Sequence, residues 1–114
     1  MPASSATERL FAYGTLQLES VQRSQFGRTL DGVDDVLTGY RIVDVPIRDP
    51  RVLAASGMAT HRGLVPGDGP PIAGKVFALT PAELAAADVY ESENYRRVRA
   101  PLASGTHAWV YVRA

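Results

Sequence analysis

"LFAYGTLQLES", residues 10–20, is the stretch on which the reading of this chain turns. Glu8 to Tyr13 read as a strand, whose apolar run stops at Tyr13. Side chains alternate across a strand, so Phe11 and Tyr13 fall on one face and Leu10 and Ala12 on the other. A glycine and a threonine follow. From Leu16 to Phe26 the positions Leu18, Val21, Gln22 and Phe26 recur at helix-like intervals, and Gly27 stands where it would end that helix. A strand that ends in glycine and turns into a helix exposes backbone N–H groups with no partners inside the helix. Together with the positive end of the helix dipole, such groups at Tyr13, Gly14, Thr15 and Leu16 make a site for a carboxylate or another anion. Glycine there admits a close approach or a positive φ. The alternative is a plain strand-to-helix turn in which Thr15 caps the helix. The stretch lacks the spaced glycines and the lysine of a phosphate loop.

Working outward, residues 1–7 read as a loose tail and residues 8–114 as one domain, the default for a chain of 114 residues. Between Asp34 and Ile47 one strand is expected around "GYRIVDVPI". "RDPRVLAASG" carries Pro50 and a Ser-Gly turn signal and reads as a loop or a short helical turn. Met58 to Val65 read as another strand, "PGDGPP" as a turn and "IAGKVFAL" as the strand after it. Thr80, Pro81, Ala82 and Glu83 form a capping box with proline at the first helical position, and "ELAAADVYE" continues as an alanine-rich helix. "YRRVRAPL" and "HAWVYVRA" flank a Ser-Gly turn and read as a hairpin. The expected fold is therefore α+β: a small mixed β-barrel or strongly curved sheet with two packed helices. A doubly wound nucleotide-binding fold would need more alternating crossovers.

Composition narrows the chemistry. Formal net charge is zero, and the basic residues are scattered arginines with Lys75 as the only lysine. No basic stripe exists to neutralise phosphates, so no nucleic-acid partner is expected. The chain has no cysteine, which excludes disulfides, thiolate metal sites and cysteine catalysis and fits a cytoplasmic setting. "MPASSATE" is not a signal peptide, and no segment has the length of a membrane span, so no membrane partner is expected. His61 and His107 lack metal-type spacing and read as surface or loop residues.

A second candidate site lies in "ADVYESENYRR", residues 87–97. Leu84, Ala87 and Glu91 recur at i, i+3, i+7, which puts Glu91 on the core-facing side of its helix, at the negative end of the dipole. Burial and dipole both favour the protonated carboxyl, so the pKa of Glu91 is expected above the ordinary range, where a carboxylate suits general acid–base work. The alternative is a solvated helix end with Glu91 paired to Arg96 or Arg97. Glu93 reads as solvated. Tyr95 and Arg97 share one strand face, as do Trp109 and Tyr111, and Tyr95 or Tyr111 could present a hydroxyl to a pocket.

The order and spacing of these features resemble the gamma-glutamylcyclotransferase-like superfamily of small β-barrel proteins. Its Tyr-Gly-(Thr or Ser)-Leu motif is matched by Tyr13, Gly14, Thr15 and Leu16. Its later helix with an aspartate, a catalytic glutamate and a Tyr-x-Arg strand is matched by Asp88, Glu91, Tyr95 and Arg97. "LVPG" at residues 64–67 and "AWVYV" at residues 108–112 look like its middle and closing strands, so the resemblance runs from residue 9 onward. Two departures stand out. Ser92 follows the glutamate where the family usually has glycine, and residues 48–61 are longer than the equivalent turn in many small members and are expected at a pocket rim, on the leaving-amine side. The resemblance implies cyclisation of a γ-glutamyl conjugate to 5-oxoproline with release of an amine or amino acid. Glu91 would be the acid–base, the Tyr13 to Leu16 loop would hold the substrate carboxylate or stabilise the oxyanion, and Tyr95 and Tyr111 would bind substrate. It implies no metal or organic cofactor and a small-molecule γ-glutamyl partner. The rival reading is a non-catalytic module that binds a small acidic ligand in the same pocket.

Overall fold

Strand β1 (Glu8–Ala12) runs through the centre of a five-stranded sheet, and that position sets up everything around it. The computed structural model describes residues 6–91 and 94–114. After β1 come a single 3-10 turn (Thr15–Gln17), α1 (Glu19–Phe26), β2 (Gly32–Leu37), β3 (Tyr40–Pro46), α2 (Pro50–Ser56), β4 (Thr60–Pro66), β5 (Ile72–Leu79), α3 (Pro81–Glu91), β6 (Tyr95–Pro101) and β7 (His107–Arg113). The large sheet has the order β2-β5-β1-β7-β6. Its strands pair antiparallel except β1 and β7, which run parallel, with Leu10 opposite Trp109 and Phe11 opposite Val110. Strands β3 and β4 form a separate antiparallel pair.

The alternation read in β1 corresponds to two cores. Leu10 and Ala12 join Phe77, Leu79, Leu84, Ala87 and Tyr111 on the face covered by the helices. Phe11 and Tyr13 join Leu37, Ile72 and Val110 on the other face, where Leu64 of β4 covers them. Burying side chains of this size contributes about 1.5–3 kcal/mol each. The centre of the sheet is also tightly packed. A Cβ on Gly74 of β5 would come within 2.5 Å of the Ala12 carbonyl oxygen and 2.6 Å of the Phe11 ring. Glycine there lets β5 lie close against the end of β1, where the chain turns into the Tyr13 to Leu16 loop.

Local signals explain the helix ends. In α3 the Thr80 hydroxyl accepts from the Glu83 N–H at 3.0 Å, and Glu83 accepts the Thr80 N–H at 3.0 Å, a reciprocal box that satisfies two orphan donors. Gly27 and Gly57 close α1 and α2 with φ of 71° and 70°, a conformation that favours glycine.

Four expectations are revised. The strands form two hydrogen-bonded sheets and not one closed barrel, because β3 and β4 pair only with each other among the described strands and meet the large sheet through side chains and the Tyr95 hydroxyl, which donates to the Arg62 carbonyl at 2.9 Å. Among the described residues there are three α-helices, not two: Asp49 caps the Arg51 N–H and Pro50 opens α2 within the stretch read as loop or helical turn. The segment between Asp34 and Ile47 holds parts of two strands, because Gly39, at φ 84°, turns the chain between β2 and β3. Helix α1 starts at Glu19, after the 3-10 turn, and not at Leu16.

Candidate active site

The Tyr13 to Leu16 loop and the end of α3, 75 residues apart in sequence at Thr15 and Tyr90, are joined by a hydrogen bond of 2.7 Å between the Thr15 and Tyr90 hydroxyls. Thr15 therefore ties the loop to α3 and does not cap a helix; neither the 3-10 turn nor α1 has a side-chain cap. Just beyond this contact, Tyr13, Gly14, Thr15 and Leu16 line a small cavity together with Glu91, Tyr95 and Tyr111. All the site residues proposed from the sequence thus share one concavity. His61 and Arg62 of β4 complete its wall. Its volume is about 20 Å³, room for about one water molecule.

Gly14 sits at φ −128°, outside the left-handed region, so a positive φ is not why glycine stands there. A Cβ at Gly14 would meet nothing within 4 Å. Glycine leaves that space open. The turn, loop and cap hydrogen bonds among the described residues use the N–H groups of Gln17 and Leu18, and none is donated by Gly14, Thr15 or Leu16.

Glu91 is the last residue of α3 and 8% exposed. Its carboxyl makes no hydrogen bond or ion pair with the described residues. The pairing with Arg96 or Arg97 considered above does not form: Arg97 is held by both oxygens of Asp88, at 2.8 and 3.0 Å. Burial pushes the Glu91 pKa up to about 8. Ser92 and Glu93 lie outside the described residues.

The aromatic wall is built by its own polar atoms. The Tyr13 hydroxyl donates to the Tyr111 carbonyl, and the Tyr111 hydroxyl donates to Asp88 at 2.7 Å. With the Tyr95 bond to Arg62 already described, each of these hydroxyls spends its proton on the protein. Burial raises the pKa of Tyr13, Tyr95 and Tyr111 well above the ordinary tyrosine range, so all three remain neutral. They offer a ring surface and oxygen acceptors, not charge.

Sequence reasoning missed two wall residues. His61 is not a surface residue: it is 4% exposed, its Nε2 lies 2.9 Å from the Ser56 hydroxyl and its ring stacks on Tyr90 at 6.3 Å. Burial lowers its pKa, so the ring is neutral at pH 7. Its signal was the period-2 spacing to Gly63, where a Cβ would come within 2.5 Å of Val45. Arg62 places its guanidinium 5.9 Å from the Tyr13 ring centre and has no carboxylate within ion-pair distance among the described residues. Those residues contain no group of three or more His, Cys, Asp or Glu side chains able to hold a metal ion.

Comparison with known proteins bears on this arrangement. The sequence model described as gamma-glutamyl cyclotransferase, AIG2-like, matches residues 10–114. No curated protein matches. Among solved structures, a protein of Arabidopsis thaliana known from its solution structure superposes with a TM-score of 0.67 at 26% identity, covering 93% of this chain and 61% of that one. A gamma-glutamyl cyclotransferase gives 0.68 at 14% identity, covering 94% of this chain and 66% of that one. The urea amidolyase of Kluyveromyces lactis gives 0.69 at 14% identity, covering 95% of this chain but 6% of that one. At 14% identity the last two likenesses are of fold alone.

Proposed function

This chain belongs to the gamma-glutamyl cyclotransferase, AIG2-like family, and from that premise we propose that it cyclises the γ-glutamyl group of a small conjugate to 5-oxoproline and releases the attached amine. The observation that carries the reading is Glu91: a carboxyl 8% exposed, without a protein partner among the described residues, on the wall of the cavity that the Tyr13 to Leu16 loop also lines. A structural carboxylate at such burial would be paired.

The chemistry follows from the proton. In the bound conjugate the α-amine attacks the side-chain amide carbon, a C–N bond forms and the carbonyl oxygen takes negative charge. The C–N bond to the leaving amine then breaks. The α-ammonium gives up two protons on its way to the ring N–H, one before attack and one after it, and the departing nitrogen takes up two to leave as an ammonium ion, with Glu91 carrying protons from one nitrogen to the other. The α-amine of a γ-glutamyl group sits beside its own carboxylate and ionises above the roughly 7.7–8.0 of a peptide N-terminus. A carboxyl raised to about 8 lies far closer to it than an ordinary glutamate does, which lowers the uphill cost of the transfer. Ring closure is intramolecular, so holding the conjugate folded supplies much of the rate.

The backbone N–H groups of Gly14, Thr15 and Leu16 would receive the developing oxyanion, as preorganised donors whose hydrogen bonds are not used in the turn. Arg62, without an ion-pair partner among the described residues, would hold a substrate carboxylate. Tyr95 and Tyr111 would form the apolar bed for the glutamyl methylenes. Residues 8–114 would act as one domain, and the expected setting is the cytoplasm. No helix among the described residues is long and apolar enough to cross a membrane.

The test is a panel of γ-glutamyl amides and γ-glutamyl amino acids incubated with purified protein, with 5-oxoproline measured by mass spectrometry. Release of 5-oxoproline in equal amount with the free amine is expected from at least one member. Binding without any release across the panel would move the assignment to an acidic-ligand binding module.

A further inference from the structure

We propose that the groove adjoining the Glu91 cavity is the subsite for the leaving amine, and that it selects γ-glutamyl conjugates whose amine carries an apolar side chain. This rests on the cyclotransferase reading above and adds the chemistry of the second half of the substrate.

The groove has a volume of about 230 Å³ and shares Gly14, Thr15, His61 and Arg62 with the cavity at Glu91. The cavity at Glu91 has room for about one water molecule, so most of a conjugate that reacts there must lie outside it, and the four shared residues lead from it into this groove. The walls that the groove does not share are Leu18, Met58 and Thr60. Leu18 and Met58 are 41% and 46% exposed, large apolar side chains left open to solvent. Single exposed apolar residues need no explanation. Two in the lining of one groove, beside a candidate active site, do.

Leu18 carries a second, independent sign. It occupies the N-cap of α1, with φ −78° and ψ 130°, and makes no side-chain cap hydrogen bond. Serine, threonine, asparagine or aspartate there would satisfy a free helix N–H, and the position forgoes that stabilisation. An apolar side chain has been kept where local stability asks for a polar one, and it faces the groove. Met58 follows the left-handed Gly57 that closes α2, and an unbranched thioether adapts to ligands of different shape. Among the described residues no Asp or Glu lines the groove, so a leaving amine that bears a second ammonium, as lysine does, finds no counter-charge from them.

The experiment measures kcat/KM for γ-glutamyl-glycine, -alanine, -leucine, -methionine and -lysine on the parent, Leu18→Ser and Met58→Ser. Each buried methylene is worth a factor of about three to four. The leucine conjugate is expected to exceed the glycine and lysine conjugates by roughly ten- to a hundredfold in the parent. Both substitutions should cut the leucine-over-glycine ratio several-fold. Leu18→Ser should at the same time raise the melting temperature by supplying the cap, which separates loss of the subsite from loss of the fold. Cyclisation of all five conjugates at similar rates, or a leucine-over-glycine ratio unmoved by both substitutions, would overturn the subsite and leave the cyclotransferase reading standing. Failure to turn over any conjugate would overturn that reading and the subsite with it.

Discussion

Two carboxylates leave helix α3 one turn apart, and they have opposite surroundings. Asp88 is fully engaged: Arg97 grips both of its oxygens, and the Tyr111 hydroxyl donates to one of them. Glu91, three residues on, faces the cavity with no partner among the described residues. Arg97 in turn lies 4.2 Å over the Trp109 ring, so the Asp88 cluster pins α3 to β6 and β7. The difference teaches how a small protein keeps a carboxyl in an unfavourable place. The paired acid fixes the helix, and the helix end then holds the unpaired acid at the buried wall of the cavity. Helix-face periodicity treats the two residues alike as acids; only the tertiary partners separate them.

The largest expected effect comes from Glu91→Gln. Glutamine keeps the size and hydrogen-bonding capacity of the side chain but cannot shuttle the proton, so turnover should fall by roughly two to four orders of magnitude. Steady-state kinetics on any conjugate that the parent cyclises would check this, with binding measured separately and expected to persist. Near-parental turnover would remove Glu91 from the chemistry.

The partner residue should answer in the opposite currency. Asp88→Ala leaves Arg97 and the Tyr111 hydroxyl without their acceptor. Hydrogen bonds to charged groups contribute about 1.5–3 kcal/mol each, discounted here because the pair is partly exposed, so a loss of about 1–3 kcal/mol is expected in denaturant unfolding. A change below about 0.5 kcal/mol would show that Asp88 does not anchor the helix.

The comparison was only partly legible in the sequence. The capping box at Thr80 and Glu83, the helix it opens and the β6–β7 hairpin were readable because their causes are local. So was the core-facing position of Glu91, since Leu84 and Ala87 lie on the same helical face. Strand β2 was not readable as a separate element. Its sequence "GVDDVL" is acidic, Val33 is 70% exposed, and it forms at the sheet edge through pairing with β5, including Lys75 against Asp34 at 2.8 Å. The burial of His61 was likewise hidden, because it depends on α2 and Tyr90 coming over β4 from distant parts of the chain. Motif order brought the loop and Glu91 into view together; their shared cavity is a product of the central position of β1.

The contrast sharpens further through pH. In the unfolded chain Glu91 ionises near its ordinary value of 4.5, and in the folded chain near 8. Between these values the folded state retains a proton that the unfolded chain has lost, so this residue makes stability fall as pH rises through the window, and the effect vanishes below it. Glu91→Gln removes that dependence. The melting temperature of the variant minus that of the parent should be near zero at the acidic end of the window and grow toward pH 8. A difference that stays flat with pH would mean that Glu91 is solvated.

The smallest effect concerns the loop that faces Glu91. Gly14→Ala places a methyl in open space and needs no left-handed backbone, so folding should be unchanged. On the proposed reading the substrate packs against Gly14, so the methyl should raise KM by roughly tenfold, a typical cost for one misplaced carbon in a pocket. An unchanged KM would put the substrate elsewhere.

The most direct measurement is a carbon-13 NMR titration of the Glu91 side-chain carboxyl, identified by the resonance that disappears in Glu91→Gln. The account predicts a midpoint near 8, far from the other glutamates, because burial without a partner opposes ionisation. A midpoint near 4.5 would contradict it: Glu91 would then be an ordinary ionised acid, and the proton transfer at the centre of the proposed cyclisation would have no residue to carry it.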